Sequence, residues 1–432
     1  MASISERENR QIQAANASGK TPVVFIHGLW LLPSSWDSWA EFFEQAGYAA
    51  LTPDWPDDPP TVEQARAEPE VLGGKSLKQV ADHTAEVIAA LSTKPVVMGH
   101  STGGLVAQML AGQGLSAATV AIDPGVFRGV LPLPFSVLKG VRPFLLDPRT
   151  RGRAITLTFE QFTYGWANAS GRTPVVFIHG LWLLPSSWDK WAEVFEQAGY
   201  AALTPSWPDD PETIGDARAH PEVFAGKKLG QIADHVAEVI HLLTKKPVVM
   251  GHSTGGLLAQ MIADRGLSAA TVAIDPGPFR GVLPLPVSAL RSAAPVLTNP
   301  LNRNRAVTLT LDQFKYGWAN ALSDDEAKQL YDSYHVAAPG VALMQMANAN
   351  INPRTEAKLD PANPSRGPLL IIDGEKDHTV PWAIANASYK RQRRNAAVTE
   401  ITKVPNRGHS LTIDSGWREV ADTALRFVQR FT

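Results

Sequence analysis

The chain has 432 residues, a net charge of −2 and no cysteine. That balance gives no reason to expect nucleic acid or an anionic membrane as partner, and the missing cysteines exclude disulfides and thiolate chemistry. Apolar residues make up 44% and charged ones 19%, ordinary for a globular chain with a sizeable core.

The first residues, MASISERENRQIQ, are charged where a secretion signal needs an apolar centre. No apolar run approaches the roughly 20 residues that span a bilayer, so a cytoplasmic protein is expected. TPVVFIHG, from Thr21, is short, β-branched and apolar and stops at glycine, the pattern of a buried strand. SSWDSWAEFFEQAGY then predicts a helix, with Ser35 as its N-cap and Trp36, Trp39 and Phe43 on one face. YAALTPDWP reads as a second strand. SLKQVADHTAEVIAAL reads as an amphipathic helix with Leu77, Val80, Ala81, Val87 and Ile88 inward. KPVVMGHSTGG and ATVAIDPG add two more strands. Alternation of this kind implies right-handed crossovers and a largely parallel sheet.

At Ala167 the pattern starts again. An ungapped offset of 152 residues lays Ala15–Trp166 on Ala167–Trp318: TPVVFIHGLWLLPSSWD recurs at Thr173 and LSAATVAIDPG at Leu267. Roughly three quarters of the positions match, which is one long segment present twice rather than a short-period solenoid. Ala-Asn-Ala stands at 15–17, 167–169 and 319–321, as a crossover within one ancestral gene would leave it. The expected domains are an incomplete half, 1–166, and a complete unit, 167–432. Phe279 to Asp360 loses the strand–helix rhythm and reads as a lid, whose Phe314, Tyr316, Trp318 and Met344 are expected in its core. The rhythm returns in GPLLIIDGEKD, AVTEITKVPNRGHS and a closing helix, WREVADTALRFVQRF. The basic run Tyr389–Arg394 fits a solvated helix face.

GHSTGG occurs at Gly99 and again at Gly251, each time after PVVM and before a helix. A serine on a strand–turn–helix corner with glycines on both sides is placed to act as a nucleophile, which singles out Ser253 and its copy Ser101. A serine hydroxyl needs a base with a pKa near neutrality. His409, in the Gly-flanked loop PNRGHS after a late strand, is the candidate. Asp377, at the end of DGEKD, is the acid expected to hold the imidazole; Asp373, Glu375 and Asp275 are its rivals. His179-Gly180-Leu181-Trp182 follows the first strand of the second copy, where the backbone N–H of Leu181 would join that of Thr254 in an oxyanion hole. His179 itself is expected to be structural.

With HGLW, GHSTGG, DGEKD and GHS in this order, residues 167–432 resemble a complete serine α/β-hydrolase of the esterase and cofactor-free haloperoxidase type. The resemblance implies an α/β-hydrolase fold with a mostly parallel sheet and a helical lid, beside a duplicated, incomplete half-domain. It implies a carboxylic-ester hydrolase with Ser253, His409 and Asp377 as triad, no cofactor and no metal, acting on a small apolar ester. Perhydrolysis, acyl transfer or amide cleavage by the same triad is the alternative, and a catalytically dead scaffold left by duplication is another.

The first copy has Ser101 but ends before an acid and histidine of its own. One tail completes one unit, and sequential completion favours Ser253; a tail returning to the first copy would give Ser101–Asp377–His409. With sequential completion, the first sheet stops at ATVAIDPG with an open apolar edge. A homodimer through that edge, or poor solubility, is expected, with the truncated first lid packing against the second unit.

Overall fold

In a computed structural model of the chain, residues 4–125, 153–154, 167–168 and 170–432 are described. Two compact units divide it, Met1–Thr158 and Phe159–Thr432. The first copy's truncated lid, after residue 125, lies outside the described residues.

The first unit opens with α1 (Glu6–Ser18), closed at its start by a reciprocal pair: the Ser5 hydroxyl accepts from the Glu8 N–H and the Glu8 carboxylate from that of Ser5. Its strands are β1 (Pro22–Ile26), β2 (Ala49–Leu51), β3 (Val96–His100) and β4 (Ala118–Ile122), paired in parallel in the order β2-β1-β3-β4. Helices α2 (Asp37–Gln45), α3 (Leu77–Ala89) and α4 (Thr102–Gly112) make the crossovers.

The second unit repeats this plan and finishes it. Strands β5 (Pro174–Ile178), β6 (Ala201–Leu203), β7 (Val248–His252) and β8 (Ala270–Ile274) match the first four; after the small ribbon β9 (Ala306–Val307) and β10 (Ala338–Pro339) come β11 (Leu369–Gly374) and β12 (Thr399–Val404). All but the ribbon join one parallel sheet in the order β12-β11-β8-β7-β5-β6. Helices α5 (Asp189–Gln197), α6 (Leu229–Leu242) and α7 (Thr254–Asp264) repeat the crossovers. The lid holds α8 (Val287–Leu297), α9 (Leu311–Gly317), α10 (Asp324–Tyr334) and α11 (Gly340–Ala347), and α12 (Trp382–Gln392) and α13 (Trp417–Val428) close the fold. Every residue of β5, β7, β8 and β11 is buried, as expected of parallel strands covered on both faces. One face packs Val176, Ile178 and Val249 against α6, α7 and the lid. The other packs Phe177, Met250 and Ile372 against Trp191 of α5 and Val420 and Phe427 of α13.

Comparing identical residues of the two copies shows what the tail supplies. Trp191 is fully buried and donates its indole N–H to the Thr412 carbonyl at 2.9 Å, whereas Trp39 is 46% exposed. Val272 on β8 lies between β7 and β11, while Val120 on the edge strand β4 is 41% exposed.

Three local expectations are corrected. Ser35 does not cap α2: a 3-10 turn, Pro33–Trp36, precedes the helix, Trp36 holds the cap position without a side-chain bond, and the Ser35 hydroxyl turns back to the Leu32 carbonyl. Proline at the start of that turn fixes the early winding. Leu77 is not inward but 40% exposed. Its copy Leu229 is buried among residues that include Ala342 and Leu343 of α11, where Gln345 accepts the Leu229 N–H. That cover lies beyond residue 319, in the part without a duplicate. The basic run is only partly solvated, since Arg391 donates from Nε to the Gly281 carbonyl.

Candidate active site

The carboxyl ends of the parallel strands in the second unit bring the chemistry together, as open α/β sheets do. β7 ends at His252, and the next residue, Ser253, has φ 58° and ψ −119°. A side chain at positive φ costs on the order of 1–3 kcal/mol and persists only when its surroundings impose it. Here the Ser253 N–H donates to the Ile274 carbonyl at 2.9 Å, and the Ser253 carbonyl accepts from Gly277 at 2.9 Å. The corner also needs its glycines: a Cβ on Gly251 would fall on the Gly255 carbonyl, and one on Gly255 on the Ile178 carbonyl.

His409 Nε2 lies 2.9 Å from Ser253 Oγ, and His409 Nδ1 lies 2.6 Å from Asp377 Oδ2. All three side chains are buried. The other oxygen of Asp377 accepts the backbone N–H groups of Thr379 at 2.6 Å and Val380 at 2.9 Å, so this carboxylate has three donors. With a carboxylate on Nδ1, the imidazole carries its proton there and turns the acceptor nitrogen to the serine.

His179-Gly180-Leu181 runs beside the corner: a Cβ on Gly180 would meet the Ser253 Cβ at 2.9 Å. Leu181 is buried. Thr254 opens α7, and first-turn N–H groups have no partner within their helix. His179 turns to the scaffold, stacked on Trp207 at 4.5 Å with Nε2 3.3 Å from Asp210. The first copy repeats this with His27, Trp55 and Asp58.

Of the rival acids, Glu375 points elsewhere and accepts the N–H of Asn406. Asp275 and Asp373 are near and fully buried. Asp275 Oδ2 is 3.7 Å from His409 Nδ1. Burial, then the charges of Asp377 and Asp373, push the Asp275 carboxyl well above its ordinary range. Burial and Asp377 push Asp373 up to about 9. Donor atoms of His252, Asp275 and His409, and of the three aspartates, lie within 4.8 Å of one another. An ion among them would compete for His409 Nδ1 or Asp377, both already engaged with each other.

Three neighbours of the triad carry no motif signal. His252 Nε2 donates to the His409 carbonyl at 2.8 Å, and burial followed by the charge of His409 holds its imidazole well below the ordinary range. Trp318 stands edge-on to the His409 ring, centroids 4.7 Å apart, and its carbonyl accepts the Ser410 N–H. Met346 receives the Thr254 hydroxyl at 3.8 Å. A place in GHS marks the nucleophile but says nothing of what the histidine before it will touch. Phe314 and Trp318 are lid core, as expected, while Tyr316 lies under the Arg291 guanidinium at 4.0 Å. A groove of about 1020 Å³ lined by Lys228, Asp234, Glu238 and Arg265 includes no triad residue.

Ser101 adopts φ 55° and ψ −120°. The sequence of the first unit has three histidines: His27 is paired with Asp58, His83 with Glu8, and His100 precedes the serine.

A model of the alpha/beta hydrolase family matches residues 23–172 and again 175–423. A search of curated protein sequences gives no match. Among solved structures, the chain is similar to a monoacylglycerol lipase of Paleococcus ferrophilus, 18% identical over 60% of this chain and 95% of that one, with a TM-score of 0.43. It is similar to a thermophilic esterase from Thermogutta terrifontis, 18% identical over 60% and 91%, with a TM-score of 0.43. A pyrethroid hydrolase from Sphingobium faniae JZ-2 is 16% identical over 60% and 97%, with a TM-score of 0.42. Among the described residues no helix is long and apolar enough to cross a membrane.

Proposed function

We start from a chain that belongs to the alpha/beta hydrolase family and propose that it is a carboxylic-ester hydrolase working through an acyl-enzyme on Ser253. The observation that supports this reading is the unbroken chain of contacts from Ser253 Oγ through the His409 ring to Asp377. His409 takes the serine proton on Nε2 as Oγ attacks the ester carbonyl. The imidazolium so formed is stabilised by the Asp377 carboxylate on its other nitrogen. The oxyanion is met by the N–H groups of Leu181 and Thr254, each donor worth on the order of 3 kcal/mol in the transition state. His409 returns its proton to the departing alkoxide, then activates water to release the acid. Two lid residues, Trp318 beside His409 and Met346 beside Thr254, favour a small apolar ester and a site from which bulk water is excluded.

Labelling the full chain with a fluorophosphonate and mapping the adduct tests the assignment. The adduct is expected on the peptide carrying Ser253, with hydrolysis of p-nitrophenyl butyrate lost in Ser253→Ala. An adduct on Ser101, or on neither serine, would overturn it.

A further inference from the structure

Asp275 follows β8 and has no exposed surface. Its Oδ1 accepts the Gly374 N–H at 2.8 Å, which anchors the carboxyl group. Its Oδ2 has no hydrogen-bond donor among the described residues, and neither oxygen of Asp373 has one. Yet Asp275 Oδ2 stands 3.7 Å from His409 Nδ1 and 3.9 Å from His252 Nε2, and the three aspartates have oxygens within 4.8 Å of one another.

Three carboxylates cannot all be anions in such a place. Like charges this close, out of water, force protons onto some of them. The nearby cations do not balance three charges. His252 is held neutral by its burial, Arg407 is paired with Asp414 while its charge also reaches Asp275, and Lys403 bears on Asp373. Donors decide where the single negative charge settles: Asp377 has three, Asp275 one, and Asp373 none among the described residues. A protonated carboxyl in turn needs an acceptor, and for Asp275 the anion at hand is Asp377.

We infer that Asp275 is held as a neutral carboxylic acid whose O–H donates to the Asp377 carboxylate, so that the two form one acid pair carrying a single charge beside His409. This rests on the ester-hydrolase reading only for its kinetic consequences. Asp275 is a positioning residue: it draws electron density from Asp377 and lowers the basicity that Asp377 confers on His409. Its proton stays in place through the cycle, while His409 carries the proton of Ser253 and then that of the attacking water.

The sign of one pH shift tests the inference. Removing a neutral donor leaves Asp377 more basic, so the acid limb of kcat/KM should move to higher pH in Asp275→Ala and less far in Asp275→Asn, whose amide still donates. Removing an anion would move that limb to lower pH. Asp275→Asn is expected to lower kcat by about tenfold with KM unchanged, against the roughly 10³ to 10⁴-fold loss expected for Asp377→Asn. Infrared difference spectra of the full chain at neutral pH should show two protonated-carboxyl bands, one removed by Asp275→Asn and the other by Asp373→Asn. A limb that moves down, or two bands that both survive Asp275→Asn, would overturn the assignment. The infrared result stands even if no ester is hydrolysed, so its failure and that of the enzymatic reading are separate.

Discussion

The His252 ring donates from Nε2 to the backbone carbonyl of His409 at 2.8 Å. The residue before the proposed nucleophile thus holds the loop that carries the proposed base, and the distance between the two is set from the backbone side as well as through Oγ and Nε2. Replacing His252 by alanine should let the His409 loop drift, lowering kcat by up to about a hundredfold with a smaller effect on KM. Because burial keeps His252 neutral, the pH optimum should not move; steady-state kinetics across pH check both statements.

Gly180 lies close against Ser253 in the proposed oxyanion loop. A methyl there meets the Ser253 Cβ at 2.9 Å, so Gly180→Ala must push the Leu181 N–H away from the reacting carbonyl. A loss of on the order of 10² to 10³-fold in kcat is expected. Calorimetry on the same variant should show that the fold survives.

Asp373 predicts an alkaline weakness. Its carboxyl is raised from an ordinary 3.8 to about 9, by burial first and Asp377 second. Between those values the folded chain holds a proton that the unfolded chain has released, so stability falls as pH rises through that window. Asp373→Asn copies the protonated acid in shape and carries no charge to release. Its melting temperature should exceed that of the parent by a margin that widens from acid to alkaline buffer; a constant margin would count against a protonated Asp373.

β4 ends its sheet among the described residues and carries ATVAI, the sequence that β8 buries between two neighbours. An apolar edge with unused N–H and C=O groups invites pairing with another chain. Concentration-dependent self-association is expected by sedimentation velocity, and Val120→Lys should reduce it while leaving Ser253 reactive to fluorophosphonate.

Much of the fold and the nucleophile's corner is legible in the amino-acid sequence. The corner at Ser253 can be read because glycine has a local signature: GHSTG tells of a close approach whatever surrounds it. The duplicated strands are equally plain, being short, apolar and bounded by turn residues. The buried proton pair is not legible. Asp275 and Asp377 are about a hundred residues apart, and only the parallel pairing of β8 with β11 makes neighbours of their ends. Ser35 misleads because a good capping residue loses to the proline before it. Leu77 misleads differently: its pattern belongs to a buried helix, and its twin is one, but the cover lies in a tail the first copy lacks. Periodicity reports the face a helix wants to hide, and the partner that hides it is written elsewhere in the chain.

Ser101 keeps the angles of Ser253 to within 3° in φ and 1° in ψ, with the same bonds to Ile122 and Gly125, in a unit whose sequence supplies no histidine after it. The strained corner therefore does not depend on catalysis for its upkeep; strand pairing and glycine contacts enforce it. A duplicate of this kind can fall silent without its nucleophile relaxing. Recovering a second active centre would then require only a terminal segment to arrive with an acid and a base, since the hardest geometry to evolve has been inherited intact.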